Sequence, residues 1–258
     1  MGIAIITGAS SGLGAEYIKA AVEIFPEIKT FWLIARRRER MEEIAANFPE
    51  KEFKILPTDL SDAENLKSLN ELLQSEKPDI SLLINCSGFV LMGDTDSTDY
   101  TRQISMVDVN CRALTALAAM SIPYMAKGSL MVNIASIAAF VPIAGMNVYA
   151  ATKSYVLSFS KGLRRELKKK GINVLAVCPG PMNTEFFGVA GISVEAIANR
   201  SNLLTALPWV NPQKATRRSL KLGKRGRGVY TPRLIYKLYR VIAALIPHNI
   251  FMKFLYLK

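Results

Sequence analysis

A glycine-rich run between an apolar segment and a helical pattern is the feature that most restricts the fold of this chain. Residues 2–6 form a short apolar run with β-branched side chains, which predicts a buried strand. Gly8, Gly12 and Gly14 follow it, and apolar residues at helical spacing come next. A strand, a glycine turn and a helix in this order are typical of a dinucleotide site, because the start of the helix offers unpaired N–H groups and positive dipole to a pyrophosphate.

The alternation of apolar runs and helical patterns continues along the chain and predicts a single α/β domain. The further apolar runs lie at residues 31–35, 81–84, 130–134, 173–177 and 228–230. Helical stretches separate them, which favours a doubly wound (Rossmann) parallel sheet with helices on both faces. At 258 residues, half of them hydrophobic, the chain can bury a large core. We expect residues 1–232 to form the Rossmann-fold catalytic domain.

Three polar side chains in the middle of the chain carry the pattern of a catalytic site. Tyr149 and Lys153 are four residues apart, which places them on one face of a helix, and Ser136 precedes Tyr149 by thirteen residues. A free phenol titrates near about 10, and an ammonium beside it is expected to lower its pKa. Ser136 is expected to hydrogen-bond the reacting oxygen. The set predicts hydride transfer between a nicotinamide and an alcohol or ketone carbon.

The glycine spacing T-G-x-x-x-G-x-G, together with Ser136, Tyr149 and Lys153, resembles the short-chain dehydrogenase/reductase family. The resemblance covers about residues 2–232 and implies an enzyme that acts on CH–OH donors. It also implies a catalytic role for Asn110, which in the family holds a water that bonds the lysine. An asparagine is otherwise a poor choice in an apolar helix, which favours the functional interpretation.

The cofactor contacts implied by the resemblance follow the ends of the predicted strands. The glycine turn, an aspartate that meets the adenine ring, an N-x-x-G segment and a P-G-x-x-x-T segment contribute in turn. In the N-x-x-G segment, Asn85 is expected to steady the central strands, and Gly88 is expected to let the backbone approach the ribose. The full set is Gly8, Ser10, Ser11, Gly12, Leu13, Gly14, Arg36, Arg37, Asp59, Leu60, Asn85, Ser87, Gly88, Tyr149, Lys153, Pro179, Gly180, Met182 and Thr184.

Arginines at the end of the second predicted strand indicate a phosphorylated cofactor. NAD enzymes usually place a carboxylate there, which holds the ribose 2′-hydroxyl and would repel a 2′-phosphate. Arg36, followed by Arg37 and Arg38, instead has a fork geometry that suits a phosphate. Ser11 stands where some NADP-dependent relatives carry a second basic residue, so the expectation of NADP(H) depends on the arginines alone.

Large apolar side chains are frequent in the segments that flank the predicted site, including a lid at about residues 184–210. Such a lining suits a bulky lipophilic substrate. Within the family, the chain is similar to microbial hydroxysteroid dehydrogenases and to membrane-associated reductases of long-chain 3-oxoacyl thioesters. A hydroxysteroid or bile acid is the first expectation and an acyl thioester the alternative. The expected lining residues are Phe140, Met146, Phe186 and Phe187.

Positive charge is concentrated in the last quarter of the chain. Thirteen of the 33 Lys and Arg residues lie after Glu195, whereas all 21 Asp and Glu residues lie up to that position. Such asymmetry suggests an anionic partner, which includes an anionic substrate. Residues 233–258 combine apolar side chains at helical spacing with interleaved arginine and lysine. Three roles stay open for this basic amphipathic tail: contact with a membrane surface, closure of the substrate pocket, or cover for a dimer surface.

Composition argues against several other classes of function. Cys86, Cys111 and Cys178 have no paired spacing and His248 is the only histidine, so we expect no metal site. We expect neither a signal peptide nor a membrane span, and a location in the cytoplasm or at the periphery of a membrane. The tail aromatics lie at apolar-face positions, which argues against a nucleic-acid partner. We expect a homodimer or homotetramer. The alternative to an enzyme is a regulator that binds NADP(H) without turnover.

Overall fold

Seven strands form one parallel sheet in the computed structural model, which describes residues 2–185 and 208–252. The strands are β1 (Ile3–Thr7), β2 (Thr30–Ala35), β3 (Glu52–Pro57), β4 (Ile80–Asn85), β5 (Leu130–Ile134), β6 (Asn173–Val177) and β7 (Val229–Tyr230). Their order across the sheet is β3-β2-β1-β4-β5-β6-β7. The predicted parallel α/β sheet is therefore confirmed, and β5 and β6 have the predicted bounds.

Helices connect the strands and cover the sheet. The described helices are α1 (Gly12–Ile24), α2 (Arg38–Ala45), α3 (Ala63–Glu76), α4 (Tyr100–Val107), α5 (Leu114–Ser121), α6 (Asn147–Glu166), α7 (Pro212–Lys224), α8 (Leu234–Leu245) and α9 (His248–Met252). Between α4 and α5 the chain forms a π-helical segment, Asp108–Ala113. None of the helices in the described part of the chain has the length and apolar character that a membrane span needs.

The core lies in two layers, one on each face of the sheet. Successive side chains of β1 point to opposite faces, as the period of a strand requires. Ile6 packs with Tyr17 of α1 and Leu220 of α7, whereas Ile5 packs with Leu69 of α3 and Leu117 of α5. The strands are apolar on both faces because helices cover both, which is why they appear in the sequence as continuous apolar runs.

The strand order reverses at β1, which pairs with β2 on one side and with β4 on the other. Chain segments that leave these two strands diverge and open a crevice at their carboxyl ends. In open parallel sheets this position is where ligands bind. The fold therefore places the glycine turn after β1 opposite the segment after β4.

Candidate active site

A cavity of about 600 Å³ opens at the carboxyl edge of the sheet, a size typical of ligand sites. Most of the residues predicted from the sequence line it, from the glycine turn after β1 to the segment after β6. They are Gly8, Ser10, Ser11, Gly12, Leu13, Gly14, Arg36, Arg37, Asp59, Leu60, Ser87, Gly88, Ser136, Met146, Tyr149, Lys153, Pro179, Gly180, Met182 and Thr184.

Several predicted residues lie elsewhere. Asn85 is buried and donates a hydrogen bond to Asn133 Oδ1 of β5 at 2.9 Å, so it joins the central strands and is absent from the cavity wall. Phe140 is also absent from the wall, because its ring packs against Tyr239 with 5.7 Å between centroids. Phe186 and Phe187 lie outside the described residues.

The glycine turn brings the start of α1 against the cavity. A Cβ on Gly14 would lie 2.0 Å from the carbonyl oxygen of Gly8, so only glycine fits where the helix turns back over the loop. The N-cap residue Ser11 makes no side-chain capping bond, and N–H groups in a first helical turn have no intrahelical partner. These donors suit a pyrophosphate.

Thr7, a residue that sequence reasoning missed, links the glycine turn to the segment after β4. Its Oγ1 accepts hydrogen bonds from the backbone N–H groups of Cys86 at 2.9 Å and Ser87 at 3.0 Å. The contact fixes the width of the crevice between β1 and β4. Its only signal in the sequence is its place at the end of the first strand.

Asp59, for which the resemblance implies a contact with adenine, lines the cavity after the end of β3. Burial alone would raise the pKa of its carboxyl, but hydrogen bonds from Ser61 and the charge of Arg36 outweigh burial and lower that pKa. The backbone N–H and the hydroxyl of Ser61 donate to Asp59 Oδ1 at 2.9 and 2.7 Å. The N-cap of α3 is Asp62, so Asp59 is not needed for that purpose.

Arg37 connects three parts of the cavity mouth. Its guanidinium donates to Ser11 Oγ at 2.7 Å and to Ser10 Oγ at 3.3 Å. It also donates to the carboxylate of Glu185 at 3.2 Å, and Arg40 donates to the same carboxylate at 2.5 Å. The hydrogen bond from Arg40, followed by that from Arg37, lowers the pKa of Glu185. Sequence reasoning missed Glu185, which is far from the arginines along the chain.

Ser136, Tyr149 and Lys153 meet in the buried part of the cavity. Ser136 follows β5 and hydrogen-bonds Tyr149 of α6, and its Oγ also accepts from the backbone N–H of Ala138 at 3.1 Å. Lys153 lies one turn after Tyr149, with its Nζ 5.6 Å from the centre of the phenol ring. The ammonium donates to the carbonyl oxygen of Ile134 at 3.0 Å. The spacing in the sequence thus brings all three side chains together.

The pKa of Tyr149 differs from the sequence-based expectation. Burial raises it to about 12, and the hydrogen bond from Ser136 opposes this only in part. Burial also lowers the pKa of Lys153 to about 8. Both directions have one cause, since a buried group is poorly solvated when charged. The protein groups alone therefore keep the phenol neutral at physiological pH, which suits a proton donor.

Asn110 lies behind the catalytic side chains, on the π-helical segment. Its amide donates to the carbonyl oxygen of Phe89 and to Thr152 Oγ1, both at 3.1 Å, and its Oδ1 accepts from the Phe89 N–H at 3.1 Å. Thr152 in turn donates to the carbonyl oxygen of Tyr149 at 2.7 Å. A Cβ on Gly88 would lie 2.8 Å from Asn110 Oδ1 and 3.3 Å from Lys153 Nζ. Asn110 therefore fixes the loop over the lysine.

The π-helical turn and Thr152 were not predicted. The sequence indicated an ordinary helix around Asn110, and π-helical turns are rare but frequent at functional sites. Thr152 stands three residues after Tyr149 on the same helix, and this spacing is the signal that could have identified it.

Apolar side chains surround the outer part of the cavity. Besides Met146, they include Phe89, Met92 and Ile143 together with Tyr239 of α8. One helix of the tail thus contributes a side chain to the cavity wall, as pocket closure requires, and this contact is compatible with the other two roles of the tail. In the sequence, Tyr239 is one of the apolar side chains at helical spacing in residues 233–258, and this spacing alone does not identify it as a lining residue.

The three cysteines have raised pKa values, and the described residues contain no cluster of metal-ligating side chains. Burial raises the pKa of Cys86 and Cys178 to about 12 and that of Cys111 to about 11, so these thiols stay protonated. Within residues 2–185 and 208–252, no group of three His, Cys, Asp or Glu side chains could hold a metal ion.

Comparison with known proteins identifies the family. A family model described as short chain dehydrogenase matches residues 2–191. The chain belongs to this family. The family match confirms the predicted enzyme class. The predicted fold is also confirmed, since a solved structure of the family shares the architecture over most of this chain.

Two solved structures and one curated relative illustrate the similarity. A short-chain dehydrogenase from Sphingobium yanoikuyae in complex with NADPH is 29% identical, with a TM-score of 0.79 and coverage of 95% of this chain and 94% of that chain. The bulky-bulky ketone specific alcohol dehydrogenase from Comamonas testosteroni is 26% identical, with a TM-score of 0.75 and coverage of 95% and 92%. An uncharacterized oxidoreductase of Staphylococcus aureus strain USA300 is 29% identical over 70% of this chain and 78% of its own length.

Proposed function

We propose that this family member is an NADP-dependent oxidoreductase that interconverts a secondary alcohol and a ketone on a bulky lipophilic substrate. The observation that carries the proposal is the position of Tyr149, hydrogen-bonded to Ser136 and one helical turn from Lys153, on the wall of the cavity that the glycine turn opens. A regulator without turnover would not need a buried proton donor at this point.

Residues around the glycine turn fit NADP(H). The first turn of α1 would bind the pyrophosphate, and Asp59 and Leu60 would flank the adenine. Arg36 and Arg37 would bind the 2′-phosphate, since both line the cavity at the end of β2. The Sphingobium yanoikuyae relative, which was solved with NADPH, supports this choice. When bound, the cofactor supplies or accepts the hydride.

The reacting oxygen would be held by Ser136 and Tyr149. In the direction of reduction, the Tyr149 hydroxyl donates its proton to the carbonyl oxygen as negative charge develops there. The reverse direction starts from the Tyr149 phenolate, whose oxygen takes the proton of the alcohol. Lys153 would have a dual task, because its ammonium would stabilise the phenolate that remains and would also hydrogen-bond the cofactor ribose. Asn110 keeps the loop beside Lys153 in place and is a candidate for the water contact that the family uses.

The apolar outer cavity favours a large substrate. Phe89, Met92, Ile143, Met146 and Tyr239 line it, and a lining of this kind suits a rigid hydrocarbon skeleton. The Comamonas testosteroni relative, named for bulky ketones, points in the same direction. We therefore propose a hydroxysteroid or bile acid. A long-chain 3-oxoacyl thioester is the second candidate, since the basic α8 beside the cavity suits an anionic carrier group.

Association into a homodimer or homotetramer is also proposed. Tyr100, Ile104 and Val107 of α4 and Tyr155 of α6 are exposed large apolar side chains on neighbouring helices. A self-complementary pairing of this face would bury them. We propose a cytoplasmic location and no role in binding nucleic acid.

Turnover of a defined panel tests the function. Purified protein is incubated with NADPH or NADH and with ketosteroids, oxidised bile acids or 3-oxoacyl thioesters, and loss of absorbance of the reduced cofactor is followed. We expect turnover with NADPH and a bulky ketone, and none in the Tyr149→Phe variant. Tight binding of NADPH without turnover on any member of the panel would favour the regulator instead.

A further inference from the structure

Helix α8 is apolar on two opposite faces, and only one of them packs on the protein. Tyr236 and Ala243 are buried in the core, and Tyr239 lines the cavity. The ring of Tyr236 lies so close to Gly180 that a Cβ there would be 2.5 Å from it. This contact with the segment after β6 fixes the helix against the cavity wall.

The opposite face of α8 is exposed and consists of large aliphatic side chains. Leu234 and Leu245, at the two ends of the helix, are 80% and 77% exposed. At 3.6 residues per turn the exposed side chains cover an arc of roughly 120° of the helix surface. We call this set the aliphatic stripe, and its members are Leu234, Ile235, Leu238, Val241, Ile242 and Leu245.

The exposed apolar surface continues beyond α8. Ile246, Ile250 and Met252 are between 37% and 50% exposed. Of the exposed large hydrophobic side chains in the described residues, most belong to this C-terminal region. Monomeric soluble proteins rarely expose apolar side chains in such contiguous patches, so this surface is suited to a partner.

Basic side chains without ion pairs lie along one side of the aliphatic stripe. Residues 208–252 contain ten Lys or Arg and no Asp or Glu. Arg217 and Lys224 of α7 form ion pairs with Glu23 of α1 and with Glu27 just after that helix. Within the described residues, Arg233, Lys237 and Arg240 form no ion pair. Lys237 is exposed at the border of the stripe. The surface therefore combines an apolar centre with a basic border.

A second copy of the chain fits this surface poorly. A two-fold pairing would place the basic borders of two copies side by side, with no carboxylate in residues 208–252 to compensate them. An anionic bilayer matches both features, since its acyl region accepts aliphatic side chains and its headgroups attract lysine and arginine.

We propose that α8 docks the protein on the surface of an anionic phospholipid bilayer, with the aliphatic stripe immersed and the basic border among the headgroups. The inference does not depend on the proposed function. If both are correct, the substrate cavity lies within about one helix diameter, ~10 Å, of the bilayer, because Tyr239 lines the cavity from the same helix.

Co-sedimentation with vesicles tests the proposal on the full chain. Vesicles of phosphatidylcholine alone are compared with vesicles that contain an equal amount of phosphatidylglycerol. Point substitutions are preferred to deletion because Tyr236 is part of the core. The test variant is Leu238→Ser with Leu245→Ser, and the matched control is Ala244→Ser, an exposed position on the same helix outside the stripe.

We expect the wild-type protein to bind the anionic vesicles only. The double variant should partition onto them about tenfold more weakly, and the Ala244→Ser control should partition like wild type. Lys237→Gln is expected to weaken the partitioning about fivefold. Thermal melting of each variant separates loss of binding from loss of fold. The proposal is overturned if the wild-type protein does not bind anionic vesicles at low salt or binds neutral vesicles equally well. It is also overturned if the double variant binds anionic vesicles as tightly as wild type. A stripe variant that halves the mass in solution and keeps its vesicle binding would assign the surface to a second copy.

Discussion

Glu185→Gln is expected to tighten the binding of NADP(H), whereas Arg37→Ala is expected to weaken it. The carboxylate of Glu185 holds Arg37 at 3.2 Å and Arg40 at 2.5 Å, at the place where the 2′-phosphate is proposed to bind. Its pKa is lowered, so it keeps its charge at neutral pH. A phosphate that reaches Arg37 must therefore share the guanidinium with a negative group.

The two effects differ in size because the ion pair is exposed. The side chains of Arg37 and Glu185 are 44% and 49% exposed, and exposed pairs contribute about 0–1 kcal/mol. Removing the carboxylate should thus lower the Kd of NADP(H) by up to about fivefold. Removing a guanidinium loses a charge-assisted hydrogen bond of about 1.5–3 kcal/mol, which raises that Kd roughly ten- to hundredfold. Arg36→Ala should have a similar effect. NAD(H) has no 2′-phosphate and should be nearly unaffected.

Titration of NADPH and NADH by calorimetry, at low and high salt, measures both effects. Glu71→Gln is the matched control, because it removes one exposed carboxylate on α3, away from the cavity lining. The expected gain at Glu185 should shrink at high salt, where exposed charges are screened. Weaker NADPH binding in Glu185→Gln would show that the carboxylate positions the arginines and does not compete with the phosphate. Equal losses for both cofactors in Arg37→Ala would refute its role at the phosphate.

Three further predictions concern the catalytic side chains and α8. Tyr149→Phe should keep the fold, measured by thermal melting, and the Kd of NADPH, measured by titration, yet lose nearly all turnover. Turnover at the wild-type rate would contradict the role of Tyr149 as proton donor. Lys153 has a folded pKa near 8, below its ordinary value of 10.5, so the unfolded chain binds more protons between these values. The free energy of unfolding of wild type, relative to Lys153→Met, should therefore rise from pH 8 to pH 10, and a flat difference in urea titrations would contradict the lowered pKa. Gly180→Ala should lower the free energy of unfolding by about 1–3 kcal/mol, seen as a lower melting temperature, because the new methyl group overlaps Tyr236. Adding Tyr236→Leu to Gly180→Ala should restore part of the lost stability.

The sheet could be predicted because its signals are local. The strands β5 and β6 are short apolar runs buried on both faces, and their bounds in the sequence are those in the structure. The glycine turn and the four-residue spacing of Tyr149 and Lys153 are local as well. One turn of helix is enough to bring Tyr149 and Lys153 together, and this does not depend on the rest of the fold.

Properties that depend on distant contacts could not be predicted. The pKa of Tyr149 is raised because segments after β5 and β6 bury its side chain. The local spacing of residues in the sequence does not reveal this burial. Glu185 reaches Arg37 from 148 residues away, and Tyr239 reaches the cavity from the tail. The sequence predicts Phe140 as a lining residue because it is apolar and lies in a segment that flanks the site, but apolar character alone does not show which way a side chain faces.

Helix α8 leaves few positions where sequence can drift without consequence. Three of its side chains, Tyr236, Tyr239 and Ala243, shape the inside of the protein, and six others form the aliphatic stripe. A substitution of Tyr239 that alters the choice of substrate would thus lie within one helical turn of residues proposed to contact the bilayer. A rotation or shift of this one helix would therefore change the cavity wall and the exposed aliphatic stripe together.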